Sequence, residues 1–162
     1  MAEAEINAQE IEFRREALTS VIATALILAL NAELIARYPE DRTADHFELD
    51  ADEVAPGRGV FLVAYAGSRP LACGAIRLLD ADTAEVKRMY VEPGARGYGL
   101  GRRLLRALEA EAQLLGARRI VLETGPRQPE AIALYLRAGF SKIAAFGEYA
   151  NSPLSVFMGK DL

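Results

Sequence analysis

The chain is poor in the residues that would point to a disulfide scaffold, a histidine metal site or a polyanion binder: it has one cysteine, one histidine and no excess of positive charge. Cys73 alone cannot close an internal disulfide, which suits a reducing cytoplasm, the expected location. Nothing in the sequence supplies it with a paired base, so it reads as a small buried apolar residue. His46 falls in an acidic segment and reads as a surface residue, and no metal is expected. Nineteen Lys and Arg stand against 23 Asp and Glu, a net charge of −4, so no global field is available to hold nucleic acid. Any anion site must be local. Arg102, Arg103 and Arg106 do cluster, but Glu109 and Glu111 follow at once.

Long hydrophobic runs are missing too. Val21 to Leu30 follows Arg14 and Arg15 in the manner of an export signal, yet Glu3, Glu5, Glu10, Glu12 and Glu16 give the preceding stretch the wrong sign. The run also falls short of the roughly 20 apolar residues that span a bilayer. It reads as a buried helix, and no membrane partner is expected. There is no internal repeat and no low-complexity tract.

What is present is enough apolar residue, 51% of 162, for one core and one domain over residues 1–162. A short first strand is expected within residues 5–13, then a helix from Glu16 to Tyr38 that Pro39 closes. Residues 39–58 hold seven Asp or Glu against Arg42 and Arg58, which predicts a surface segment with at most a short helix. Three strands follow at 59–67, 70–79 and 84–91, joined by the turn sequences GSRP and DADT. Leu100, Leu104, Leu105, Leu108 and Leu115 make a helical stripe that Gly116 ends. A strand at 119–123, a helix over 129–138 stopped by Gly139, a weak strand at 141–146 and a last strand at 154–160 complete the order. This mixture predicts an α/β fold of the α+β kind, a mostly antiparallel sheet flanked by helices. The single strand-helix-strand step makes strands 84–91 and 119–123 parallel neighbours.

Between that strand and its helix lies RGYGLGRRLL, residues 96–105. Gly97, Gly99 and Gly101 leave backbone N–H groups uncovered at the positive end of a helix, an arrangement that suits phosphate. The plainer reading is a tight βα turn. A Walker loop needs Lys and Ser or Thr after Gly101, where Arg102 and Arg103 stand, and a dinucleotide fingerprint needs glycine at 102 or 104. Both patterns fail. The pattern R/Q-x-x-G-x-G/A does match, as Arg96, Gly99 and Gly101 directly after AEVKRMYV. Here the chain resembles the GNAT superfamily of acyl-CoA-dependent N-acyltransferases, and QPEAIALYLRAGF at 128–140 resembles a second segment of that superfamily.

The resemblance implies a fold in which the parallel strands splay and acetyl-CoA lies in the gap. It implies that backbone of Arg96, Gly97, Tyr98, Gly99, Leu100, Gly101 and Arg102 holds the diphosphate, that pantetheine pairs along Met89, Tyr90 and Val91, and that Gln128, in place of the usual asparagine, touches cofactor. Tyr135 is implied as the acid that protonates the departing thiolate, or else is a core tyrosine. Glu85 is implied as the base that frees the amine, directly or through water. Lys87 and Arg88 either pair with Glu123 across the strands, or Lys87 or Arg77 binds a carboxylate on the acceptor. The implied activity is acetyl transfer to a primary amine of a small molecule, an amino acid or related amine among them. The rivals are a protein lysine or N-terminal acetyltransferase and an acyl-CoA sensor without chemistry. A homodimer fits such a fold.

Overall fold

A computed structural model describes residues 10–39, 49–147, 150 and 152–162. His46 and the first nine residues, where part of the first strand was expected, lie outside them. The chain order is β1 (Ile11–Arg15), α1 (Val21–Arg37), β2 (Gly59–Ala66), β3 (Arg69–Leu78), β4 (Thr83–Val91), α2 (Leu100–Leu114), β5 (Arg119–Thr124), α3 (Pro129–Arg137), β6 (Ser141–Lys142) and β7 (Val156–Asp161). The strands form one seven-stranded sheet in the order β1-β2-β3-β4-β5-β7-β6. Every neighbouring pair is antiparallel except β4 with β5.

The sheet is a central layer with helices on both faces. Along β2, Phe61, Val63 and Tyr65 face α1 and pack with its Ala23, Leu26, Leu30 and Leu34. The intervening Leu62, Ala64 and Ala66 face the other way, into a core built with Leu100, Leu104, Leu105 and Leu108 of α2. A strand covered on both faces reads as a continuous apolar run, which is why GVFLVAYA shows no alternation. Gly74 of β3 lets α2 settle onto the sheet, because a Cβ there would stand 2.8 Å from Leu108 Cδ1.

Local chemistry sets the ends of the elements. Ser20 caps α1, its hydroxyl accepting from the Ala23 N–H at 3.0 Å. That cap starts the helix at Val21, five residues later than the apolar pattern alone suggests. The expected short helix in the acidic segment is a 3-10 turn, Ala51–Val54, started by a capping box between Asp50 and Glu53. In the β3–β4 hairpin, Asp80 Oδ1 accepts from the N–H groups of Asp82 and Thr83, both at 2.8 Å, and these bonds lower its pKa. Among the described residues no helix is long and apolar enough to cross a membrane.

The core under α2 predicts a contrast that denaturant unfolding can read. Leu104 has no exposed surface, so Leu104→Ala should cost about 2–5 kcal/mol of stability. Val21 is 85% exposed, and Val21→Ala should stay within about 0.5 kcal/mol.

Candidate functional site

Two strands that run together and then part leave an edge of each without a neighbour. β4 and β5 pair from Thr83↔Arg119 to Val86↔Leu122, after which Lys87–Val91 and Glu123–Thr124 continue apart. The parting coincides with a bulge on β4. Between the partners Ala75↔Lys87 and Cys73↔Tyr90, β3 contributes only Gly74 while β4 contributes Arg88 and Met89. Such an extra residue bends its strand and sharpens the local twist.

Arg88 occupies the bulge with φ of 55°, a left-handed conformation that costs a non-glycine residue about 1–3 kcal/mol. Bonds from α1 and β3 help to hold it there. Its Nη1 donates to Asn31 Oδ1 of α1 at 2.6 Å, and the Cys73 thiol donates to its carbonyl at 3.4 Å. Cys73 is wholly buried, which pushes its thiol up to about 12 and leaves it inert, as expected from the sequence.

The parted strands open a cleft of about 380 Å³ of empty space. Its walls are Leu30 and Leu34 of α1, Lys87 and Met89 of β4, Glu123 of β5 and Tyr135 of α3, with Gln128 at the start of α3. Tyr135 is 7% exposed, and its hydroxyl donates to Met89 Sδ at 3.8 Å, bridging the split. Burial pushes its phenol up to about 12, so the hydroxyl keeps its proton at neutral pH. The pKa of Lys87 is lowered, first by burial and then by the charges of Arg77 and Arg88, with Glu85 and Glu123 opposing. Glu123 accepts a short hydrogen bond from the Ser155 hydroxyl on the loop before β7. Neither Asn31 nor Ser155 was singled out from the sequence, because each reaches the site from an element whose packing no local motif encodes.

Glu85 lies elsewhere. It is 5% exposed, faces its antiparallel partner Arg77, and accepts from Arg77 Nε at 2.8 Å. Arg77 also contacts Glu53 of the capped 3-10 turn, so its fork is shared between two carboxylates. Neither Glu85 nor Arg77 lines the cleft. Of the expected cross-strand cluster, Lys87, Arg88 and Glu123 all line the cleft, and the Arg88 guanidinium also reaches α1.

Past the end of β4, Gly97 and Gly99 take φ of 89° and 79°, and Gly99 caps α2 with no side-chain acceptor. The first-turn N–H groups of α2 thus have no capping side chain at the positive end of a 15-residue helix. Gly101 serves packing instead: a Cβ there would stand 3.3 Å from Leu134 Cδ2, so α3 can press against α2. Leu100 is buried in the core and offers only backbone, whereas Tyr98 is 46% exposed. Tyr90 is buried against the α1 side. Arg96 does not stand free at the rim. Its guanidinium binds Glu33 of α1 at 2.9 Å through two nitrogens, and its Nε donates to the Val91 carbonyl at 2.9 Å.

A difference titration tests the state of the cleft hydroxyl. Comparing phenolate absorbance of the protein with that of Tyr135→Phe should isolate a group titrating at about 12 rather than 10. Because the neutral form is favoured in the fold, this tyrosine should stabilise the protein below pH 10 and lose that contribution as pH rises toward 12.

The model of the acetyltransferase (GNAT) family matches residues 27–140 of this chain. An IAA acetyltransferase of Azospirillum brasilense is 39% identical over 153 residues, covering 94% of this chain and 98% of that one. A crystal structure from Klebsiella pneumoniae, of a protein assigned to the acyl-CoA N-acyltransferases, is 37% identical with a TM-score of 0.80, covering 94% and 97% of the two chains. The fold alone is shared with a GNAT family acetyltransferase from Elizabethkingia anophelis that has acetyl-CoA bound, at 17% identity and a TM-score of 0.68 over 94% and 99%. With a family model covering most of its length and a relative this similar from end to end, the chain belongs to the GNAT acetyltransferase family and is an acyltransferase.

Proposed function

We propose that this acyltransferase moves acetyl from acetyl-CoA to a primary amine of a small molecule by direct attack. The observation that carries the reading is the parting of β4 and β5 with the Tyr135 hydroxyl bridging the gap to Met89. The residues present suit the acetyl donor: uncapped amides at the head of α2 match a diphosphate, and the unpaired edge of β4 after Val86 matches an extended amide-bearing arm. When bound, acetyl-CoA supplies an activated thioester. Backbone from Gly97 to Arg102 would hold its diphosphate and Met89 to Val91 its arm, with Gln128 at the rim. Arg96 acts through its hold on Glu33 and Val91, fixing the loop against α1.

An amine with a pKa near 10.4 is almost wholly protonated at pH 7 and cannot attack until it loses a proton. Two carboxylates compete for that role. Glu123 lines the cleft, while Glu85 is bound by Arg77 outside the lining. The geometry therefore favours Glu123 as the group that receives the ammonium, with Glu85 and Arg77 bracing the strand beneath. Tyr135, protonated and apposed to Met89 in the split, is positioned to give its proton to the departing thiolate. Lys87 beside Glu123 adds a cation to a wall that is otherwise partly apolar. A cleft with both charges suits an acceptor that carries an anionic group as well as its amine, as an amino acid does.

Steady-state kinetics with a panel of small amines tests the assignment. Glu123→Gln should lower kcat/KM by about 100-fold or more, and Tyr135→Phe should lower kcat while leaving acetyl-CoA affinity nearly unchanged. Glu85→Gln should cost less than about tenfold. A larger loss for Glu85→Gln than for Glu123→Gln would return the base to Glu85, and tight binding without turnover of any amine would make the chain an acyl-CoA sensor.

A further inference from the structure

Only three of the 19 Lys and Arg residues are lysine: Lys87, Lys142 and Lys160. An arginine carries its charge without offering a nucleophile, whereas a lysine gives up its proton readily once buried. Lys142 is exposed, and Lys160 is paired with Glu109. Lys87 lines the cleft. Pairing between β4 and β5 ends at Val86, so Lys87 is the first residue of β4 past the last bond to β5. It lies opposite Ala75, which belongs to the core under α1, so its side chain comes to the cleft from that face of the sheet. Tyr135 and Met89 pack with the core on the α2 side and come from the other face. Direct attack needs an amine on one side of the acyl carbon and a proton donor beside the sulfur. Lys87 and Tyr135 stand in those two places across the gap. Lys87 and Met89 are two residues apart, about 7 Å along the strand, a span that a four-carbon stem can cover.

We propose that Lys87 is a site of self-acetylation: when no acceptor occupies the cleft, its amine takes the acetyl group from the donor. This rests on the reading that acetyl-CoA lies in the gap between β4 and β5. Lys87 gives one proton to Glu123 and attacks the thioester carbonyl as a neutral amine. An N–C bond forms, the C–S bond breaks, and the sulfur leaves as a thiolate that takes the Tyr135 proton. The second proton of the amine restores the one Tyr135 gave up, leaving an amide on Lys87 and a free thiol. No other reactant is needed. Burial, and after it the charges of Arg77 and Arg88, lower the pKa of Lys87 against the pull of Glu85 and Glu123, so its neutral amine is more available than that of a surface lysine. Holding amine and thioester in one cleft replaces a chance encounter, an advantage that reaches effective molarities of roughly 10⁵ M or more. The acetylated side chain is neutral. The wall then lacks the cation that suits an anionic acceptor, so a protein left with donor alone closes its own site to that class of amine.

Mass spectrometry of the full chain after incubation with acetyl-CoA alone tests the site. The protein should gain the mass of one acetyl group, and peptide mapping should place it on Lys87, with Lys142 and Lys160 unmodified. Lys87→Arg should gain none. Tyr135→Phe should slow the modification by about 10-fold or more. An amine that the enzyme turns over, added before the donor, should protect Lys87. An unmodified Lys87 in protein that binds acetyl-CoA by calorimetry overturns the site and leaves the donor reading intact. Labelling of the exposed Lys142 as fast as Lys87, or an equal rate in Tyr135→Phe, also overturns it, since either marks plain reaction with donor in solution. If calorimetry detects no acetyl-CoA binding, the donor reading is wrong and self-acetylation falls with it.

Discussion

The loss of hydrogen bonding between β4 and β5 after Val86 and Leu122 is the feature on which the rest of this molecule depends. Backbone groups inside a sheet are normally paired, so leaving two edges open needs a reason built into the chain. The bulge at Arg88 supplies one by bending β4. That bulge is held by a buried arginine in a left-handed conformation, by Asn31 from the helix on one face, and by the Cys73 thiol from the neighbouring strand. Gly74 completes the arrangement, because the strand opposite the bulge also receives Leu108 of α2, which leaves no room for a Cβ. Strain at one residue is offset by contacts from α1 and β3, and the result is an opening that stays open.

Charge in this protein is managed by locality. Net charge is negative, yet cations collect where strands or helices part. On the α1 face, the Arg96–Glu33 ion pair ties the glycine loop to α1, and Arg77 with Glu85 and Glu53 ties the acidic segment to the sheet. On the opposite face, the arginines between α2 and α3 are left without such partners. The strap at the end of α1 uses hydrogen bonds instead: the buried Tyr38 hydroxyl accepts from the Arg127 N–H at 2.7 Å, while the Arg127 guanidinium donates to the Arg37 carbonyl at 2.8 Å. Gly125 is required beside it, since any side chain there would run into the Tyr38 hydroxyl.

Much of the architecture was legible because local chemistry and the final packing agree. Apolar runs with turn residues between them gave β2, β3 and β4 within a residue or so, and the leucine stripe gave α2. The one parallel pair followed from the single strand-helix-strand step, and the family from the glycine spacing. The first strand was placed early because its register is set by β2, fifty residues on, with Ile11 facing Ala66. Within the site, Tyr135 and Met89 were singled out by resemblance for separate roles, and the contact between the Tyr135 hydroxyl and Met89 Sδ was not foreseen. The fates of Arg96 and Glu85 were not legible, since their partners Glu33 and Arg77 are fixed by helix placement and strand register rather than by spacing along a motif. The three glycines of the loop looked alike in sequence, yet two serve backbone conformation and the third serves helix packing.

The most direct test is a crystal structure of the protein with acetyl-CoA. The account predicts density with the diphosphate against the amides of residues 97–102 and the thioester sulfur between Met89 and Tyr135, in the gap between β4 and β5. A donor molecule found anywhere else, with that gap empty or closed by strand pairing beyond Val86 and Leu122, would contradict it.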